Sequence, residues 1–179
     1  MHLSRCPVAA RAAAALCAVV LLLPARGAAA ELAVSRIDFA PAVTAKLQDY
    51  GESEGATVRD AIVTAVSRAS QPQVPDGVSV AVTVLDLAPS RLTRKQLNDD
   101  PSLDVLHSRS LGGAELKGEV RDAQQHLLTT VSYRYFAPDI TAASPARDPW
   151  ADARVAIDGF AAKLAAAARD LPAQRAGPG

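Results

Sequence analysis

Cysteine, aromatic side chains and lysine are scarce in this chain. Its two cysteines, Cys6 and Cys17, both fall within the first thirty of 179 residues. A mature form lacking that stretch has no disulfide, no thiolate zinc site and no cysteine nucleophile. Aromatic residues make up 4%, so the core must be built mainly from aliphatic side chains. The formal net charge is zero, without the basic excess of a dedicated nucleic-acid binder. After residue 30 no apolar run approaches the ~20 residues needed to cross a bilayer. Arginine outnumbers lysine fifteen to four, and alanine is abundant; this bias reads as genome base composition rather than function. With 49% apolar and 21% charged residues the chain is neither disordered nor collagen-like, and its length suits one domain.

The first thirty residues read as an address. Arg5 and Arg11 stand in a start without acids, Ala12 to Leu23 is continuously apolar, Pro24 breaks the run, and Ala28-Ala29-Ala30 precedes Glu31. A positive start, a short apolar middle and a small-residue end make a secretory signal peptide over 1–30. Cys17 follows Ala14-Ala15-Leu16 in the middle of the apolar run, so no lipid anchor and no stable membrane attachment are expected after cleavage. The remaining 149 residues lose Arg5, Arg11 and Arg26. Sixteen basic residues then face nineteen acidic ones, a net charge near −3. A chain of that size buries roughly 68–70% of its unfolded surface and can fold without disulfides. The expected location is the periplasm, with secretion as the alternative.

Periodicity then predicts an α+β domain over 31–172, followed by a disordered tail over 173–179. Residues 31–39 form a first strand. Gly51 and Gly55 weaken any helix over 40–56. Val58, Ala61, Ile62, Ala65, Val66 and Ala69 make one helical face, with Thr57 and Asp60 as a capping pair. Val78, Val80, Val82 and Val84 alternate with small or polar residues, as a strand does. Ala114, Leu116, Gly118 and Val120 alternate with Glu115, Lys117, Glu119 and Arg121, which predicts a strand with one wet face. A turn at 122–125 leads to a strand over 127–136. Asp148-Pro149 opens a last helix whose stripe runs from Trp150 through Phe160 to Leu171. The predicted order is β-α-β-β-β-α, with two helices packed on one face of a four-stranded, mostly antiparallel sheet.

The segment 88–113 is too long for an ordinary connection between strands. It carries Arg91, Arg94 and Lys95, then Asp99, Asp100 and Asp104, then His107 and Arg109. Thr93 and Gln96 have capping-box spacing, so a short helix is expected inside it. Long loops on a rigid scaffold often carry function. Arg91, Arg94, Asp104, His107 and Trp150 are therefore the candidate binding residues. No catalytic set is complete: there is neither a G-x-S-x-G elbow nor H-E-x-x-H. Asn98-Asp99-Asp100-Pro101 lacks calcium-loop spacing and reads as a turn. Gly112-Gly113 precedes a strand, the wrong order for a phosphate loop, and reads as close packing.

Several short pieces occur in sequence order: Pro89-Ser90-Arg91-Leu92-Thr93, then Leu111-Gly112-Gly113-Ala114, then Tyr133 and Tyr135, then Trp150-Ala151-Asp152-Ala153. This pattern resembles small exported proteobacterial proteins of unknown function, over about residues 80–165. The chain departs from it at Ser90 and Leu92, where the pattern has asparagine and proline. It also departs at Gln125, where such turns often carry glycine. The resemblance implies location and shape but no reaction.

These readings lead to an expectation of a non-catalytic periplasmic binding or accessory module. It would use no cofactor, metal or nucleic acid, and its partner would be another envelope protein met by the 88–113 loop and the open sheet face. The alternative is an envelope hydrolase or metal-binding protein using the same loop, with His107, Asp104 and a serine. The oligomeric state is left open.

Overall fold

The computed structural model describes residues 32–70, 77–104 and 108–171. The expectations for a signal peptide over 1–30 and a tail over 173–179 lie outside these residues. The elements are β1 (Ala33–Phe39), α1 (Pro41–Tyr50), α2 (Glu52–Ser70), β2 (Ser79–Ala88), α3 (Arg94–Asp99), β3 (Gly113–Arg121), β4 (Leu127–Phe136) and α4 (Ala151–Arg169). The sheet order is β1-β2-β3-β4. The β1–β2 pair is parallel, and β2–β3 and β3–β4 are antiparallel. A parallel neighbour needs a crossover, which α1 and α2 supply. The α+β class stands, but the sheet is mixed and the order is β-α-α-β-α-β-β-α.

The element that sequence reasoning missed is α1. Pro41 stands at its start, where a missing N–H costs nothing and the fixed φ suits a helix. Gly51 takes φ 125°, a conformation that side chains resist, and this lets α2 begin at once in a new direction. Gly55 lies inside α2, buried where it passes Leu47 and Phe39. Thr57 is therefore not a cap. It sits within α2, and its hydroxyl donates to the Ser53 carbonyl at 3.2 Å.

The apolar stripes read from the sequence meet in one core. Val58, Ile62, Ala65 and Val66 of α2 lie with Ala153, Ala156, Ile157, Phe160, Ala161 and Leu164 of α4 over Val80, Val82, Val84, Leu116 and Val120. Close approach of α4 depends on ring-over-glycine contacts in both directions. The Phe160 ring lies where a side chain on Gly118 would stand, and Tyr133 fills the space beside Gly159. The opposite face carries Glu115, Lys117, Glu119 and Arg121, as the alternation predicted.

The β3–β4 hairpin closes at Asp122. Its backbone N–H donates to the His126 carbonyl at 3.1 Å, and Oδ1 accepts from the His126 N–H at 2.8 Å. Gln125 occupies the left-handed region at φ 66°, which costs a side-chain-bearing residue about 1–2 kcal/mol. At the other boundary, Asp148 closes the turn before α4 instead of capping the helix, whose N-cap is Trp150. The Asp148 Oδ1 accepts from the Trp150 N–H at 3.0 Å, and α4 proper starts at Ala151. Among the described residues no helix is long and apolar enough to cross a membrane.

Candidate functional site

The pieces singled out in sequence converge at one end of the sheet. Ser90, 1% exposed, donates its N–H to the Pro149 carbonyl at 2.7 Å and accepts the Asp152 N–H on its hydroxyl at 3.2 Å. Gly112 passes so close that a Cβ there would stand 2.4 Å from Ser90 Oγ and 2.7 Å from its backbone nitrogen. Segments 89–93, 112–114 and 149–152 therefore form a single knot. Close packing at Gly112 is what the structure shows.

The described parts of the 88–113 connection, 88–104 and 108–113, fold back on each other. Thr93 and Gln96 form the expected capping box at the start of α3. Asp100 closes the following turn, its Oδ1 accepting from the Ser102 N–H at 3.0 Å and hydroxyl at 2.6 Å. These bonds hold the Asp100 carboxyl below its usual range. Farther along, Arg91 and Arg109 face each other in an isolated antiparallel bridge. Two like charges placed opposite one another would repel, but both guanidiniums grip the strap that joins β4 to α4. Arg91 Nε donates to the Ala146 carbonyl at 2.7 Å and Nη2 to Pro145 at 3.1 Å. Arg109 Nη2 donates to the Ala143 carbonyl at 2.5 Å. Asp152, 1% exposed, accepts the Ser144 N–H on Oδ1 at 2.8 Å. One peptide group, between Ala143 and Ser144, thus joins a buried carboxylate to a guanidinium.

Of the predicted site residues, Arg91 is a strap-holding residue in this knot. Arg94 is exposed on the first turn of α3. Asp104 is exposed, and its carbonyl accepts the Ser108 N–H at 2.9 Å. His107 lies outside the described residues. Trp150 is 2% exposed and pins α4 to the α1–α2 corner. Its indole Nε1 donates to Glu54 Oε2 at 2.6 Å, and its ring meets Tyr50 edge-on at 5.7 Å. A stacking platform for a ligand needs an open ring face, which a residue this buried does not present.

Sequence reasoning did not propose Tyr50, Glu54, Ser90 or Asp152 as site residues, although Ser90 and Asp152 lie in the short pieces it quoted. Tyr50 is the shared wall of two clefts. One, about 310 Å³, is lined by Arg91, Gln96, Ser108, Arg109 and Ser110 with Leu92 and Leu111. The other, about 480 Å³, lies between the start of α2 and α3, with Glu52, Arg94, Lys95 and Asn98. Burial pushes the Tyr50 phenol up, so it stays protonated and can donate a hydrogen bond there. Among the described residues no group of three His, Cys, Asp or Glu side chains is placed to hold a metal ion. The Ser90 hydroxyl, although near Asp152, is enclosed by the knot and cannot meet a substrate.

The open sheet face, the other expected contact surface, is matched in charge. Arg36 pairs with Asp38 at 2.7 Å, Lys117 and Arg121 with Glu119 at 2.9 and 2.7 Å, and Arg134 with Glu115 at 3.3 Å. Lys117 and then Arg121 hold the Glu119 carboxyl at about 2, against an ordinary 4.5. Its contribution to stability is therefore present above the ordinary carboxylate range and is lost as pH falls through about 2. An NMR titration should place the Glu119 midpoint near 2, and Lys117→Met should move it up toward 4.5. A midpoint unmoved by that substitution would refute the pairing.

No protein-family model matches this chain, and no curated protein matches it. Among solved structures it is similar to a minor lipoprotein from Acinetobacter baumannii, with 15% sequence identity and a TM-score of 0.30 over 76% of this chain and 95% of that one. A likeness that slight carries no argument about fold or function.

Proposed function

We propose that this chain is a non-catalytic binding or accessory module of the bacterial envelope, working in the periplasm. In this reading it meets a protein partner through the end of the sheet built by residues 88–113. The observation that carries the reading is the knot. The described parts of a connection far longer than two strands need are tied down by a capping box, an arginine bridge and guanidinium hydrogen bonds to a neighbouring strap. A surface held rigid before contact loses less entropy on binding, and this one presents α3 and two clefts around Tyr50. The signal-like first thirty residues support export, and the matched charges of the open sheet face favour the knotted end over that face as the contact surface.

A photo-crosslinking residue placed at Asn98 or at Leu111 should capture one and the same envelope protein in cells. The same residue at Asp60, on the outer side of α2, should not. Equal capture from all three positions, or silence at both Asn98 and Leu111, would overturn the reading.

A further inference from the structure

The two edges of the sheet are unlike. The β1 edge is blunted: its register shifts between Val34 and Arg36, and the exposed Arg36–Asp38 pair sits on it. The β4 edge is less protected: its register shift lies at its very start, between Leu127 and Thr129, and a single exposed arginine stands on it. Its ladder with β3 runs without a shift from Thr129 to Phe136, it contains neither proline nor glycine, and Arg134 is its single charge. Thr-Thr-Val-Ser-Tyr-Arg-Tyr-Phe is also a sequence of strong strand formers. Among the described residues no strand pairs with its outer side. Such an edge is a template for another strand, and monomeric proteins usually block it.

The geometry points to a second copy of this chain as the occupant, paired antiparallel along β4 with a two-fold axis at Ser132. Ser132 lies at the middle of the unshifted stretch, so this register uses nearly all of it. On the side facing α4 it sets Val131 opposite the partner's Tyr133 and Thr129 opposite the partner's Tyr135. Aromatic against β-branched is a favourable cross-strand pairing. On the open side it sets Arg134 opposite the partner's Thr130. The two arginines then stand four residues apart along the strands, about 13 Å, which exceeds the screening length of about 8 Å at physiological salt. Each keeps its own Glu115 at 3.3 Å. A register centred on Arg134 would bring the two guanidiniums face to face, and the Ser132 register avoids this. Two four-stranded sheets become one of eight strands, with both knotted ends left free for the partner proposed above.

Ser132 and Thr130 are exposed on the solvated face, so substitutions there leave the core intact. Light scattering on the purified full chain should give twice the chain mass at 100 µM and fall toward the chain mass on dilution. Ser132→Lys and Ser132→Glu should each weaken the dimer more than tenfold while melting as the parent does. Mixing the two should restore it as a mixed dimer in native mass spectrometry. Should either variant fold poorly, Ser132→Cys provides the second measurement. Mild oxidation should link two copies through residue 132, whereas Thr130→Cys, opposite Arg134, should stay unlinked. A parent that is monomeric at 100 µM, a Ser132→Lys variant that dimerises unchanged, or equal linking at 130 and 132 would each overturn the proposal.

Discussion

Replacing Trp150 with alanine is expected to lower the unfolding free energy by about 3–5 kcal/mol. The side chain is 2% exposed and is the chain's only tryptophan. Its loss opens a cavity between α1, α2 and α4, removes the edge-on contact with Tyr50, and leaves Glu54 without its indole donor. Trp150→Phe separates these effects. The ring contact survives in part while the N–H···O bond is lost, so a cost of about 1–3 kcal/mol is expected, as for bonds to charged groups. Because the substitution removes the fluorescent reporter, denaturant melts should be followed by circular dichroism. Near-equal stability of Trp150→Ala and the parent would mean that this corner is not packed as described.

The second large effect is expected at Gly112. An added methyl would stand 2.4 Å from Ser90 Oγ, 2.7 Å from its nitrogen and 2.9 Å from its Cα. Two of those atoms are backbone and cannot swing aside. Gly112→Ala should therefore cost about 3 kcal/mol, the upper end of the usual overpacking range. Ser90→Gly in the same chain should not rescue it, since the nitrogen and Cα remain. A rescue would show that only the hydroxyl stands in the way. The clash should also loosen the strap, detectable as faster amide exchange at Ser144, whose N–H is held by Asp152.

Strands and cores were the most legible part of this chain. The valine alternation of β2, the two-faced pattern of β3 and the bounds of β4 follow from a side-chain period of two, which survives any tertiary context. Helix α1 was lost because Gly51 and Gly55 carry opposite meanings in structure and in propensity. One is a hinge between two helices, and the other is a packing notch within one. The Thr57 capping pair failed for a related reason: the spacing of Thr57 and Asp60 also occurs inside a helix. At the site, Arg91 was visible as a charge but not as a hand on the strap, because its partners are carbonyls of residues more than fifty positions away. Trp150 was legible as the start of the α4 stripe and was also a candidate binding residue; the structure buries it against Tyr50 and Glu54. Asp152 and Ser90 left no local signal of their burial; only their place within the short pieces singled out in the sequence marked them.

The grip on the strap is exercised almost entirely through its main chain: carbonyls at 143, 145, 146 and 149, and the N–H at 144. A clamp of this kind is blind to side chains. Pro145, Ala146 and Arg147 point outward, so their identities can change while the path of the chain stays fixed. The protein therefore holds three exposed side chains on a frame fixed through the main chain, the arrangement a display scaffold uses, and foreign recognition residues could be written there without redrawing the fold.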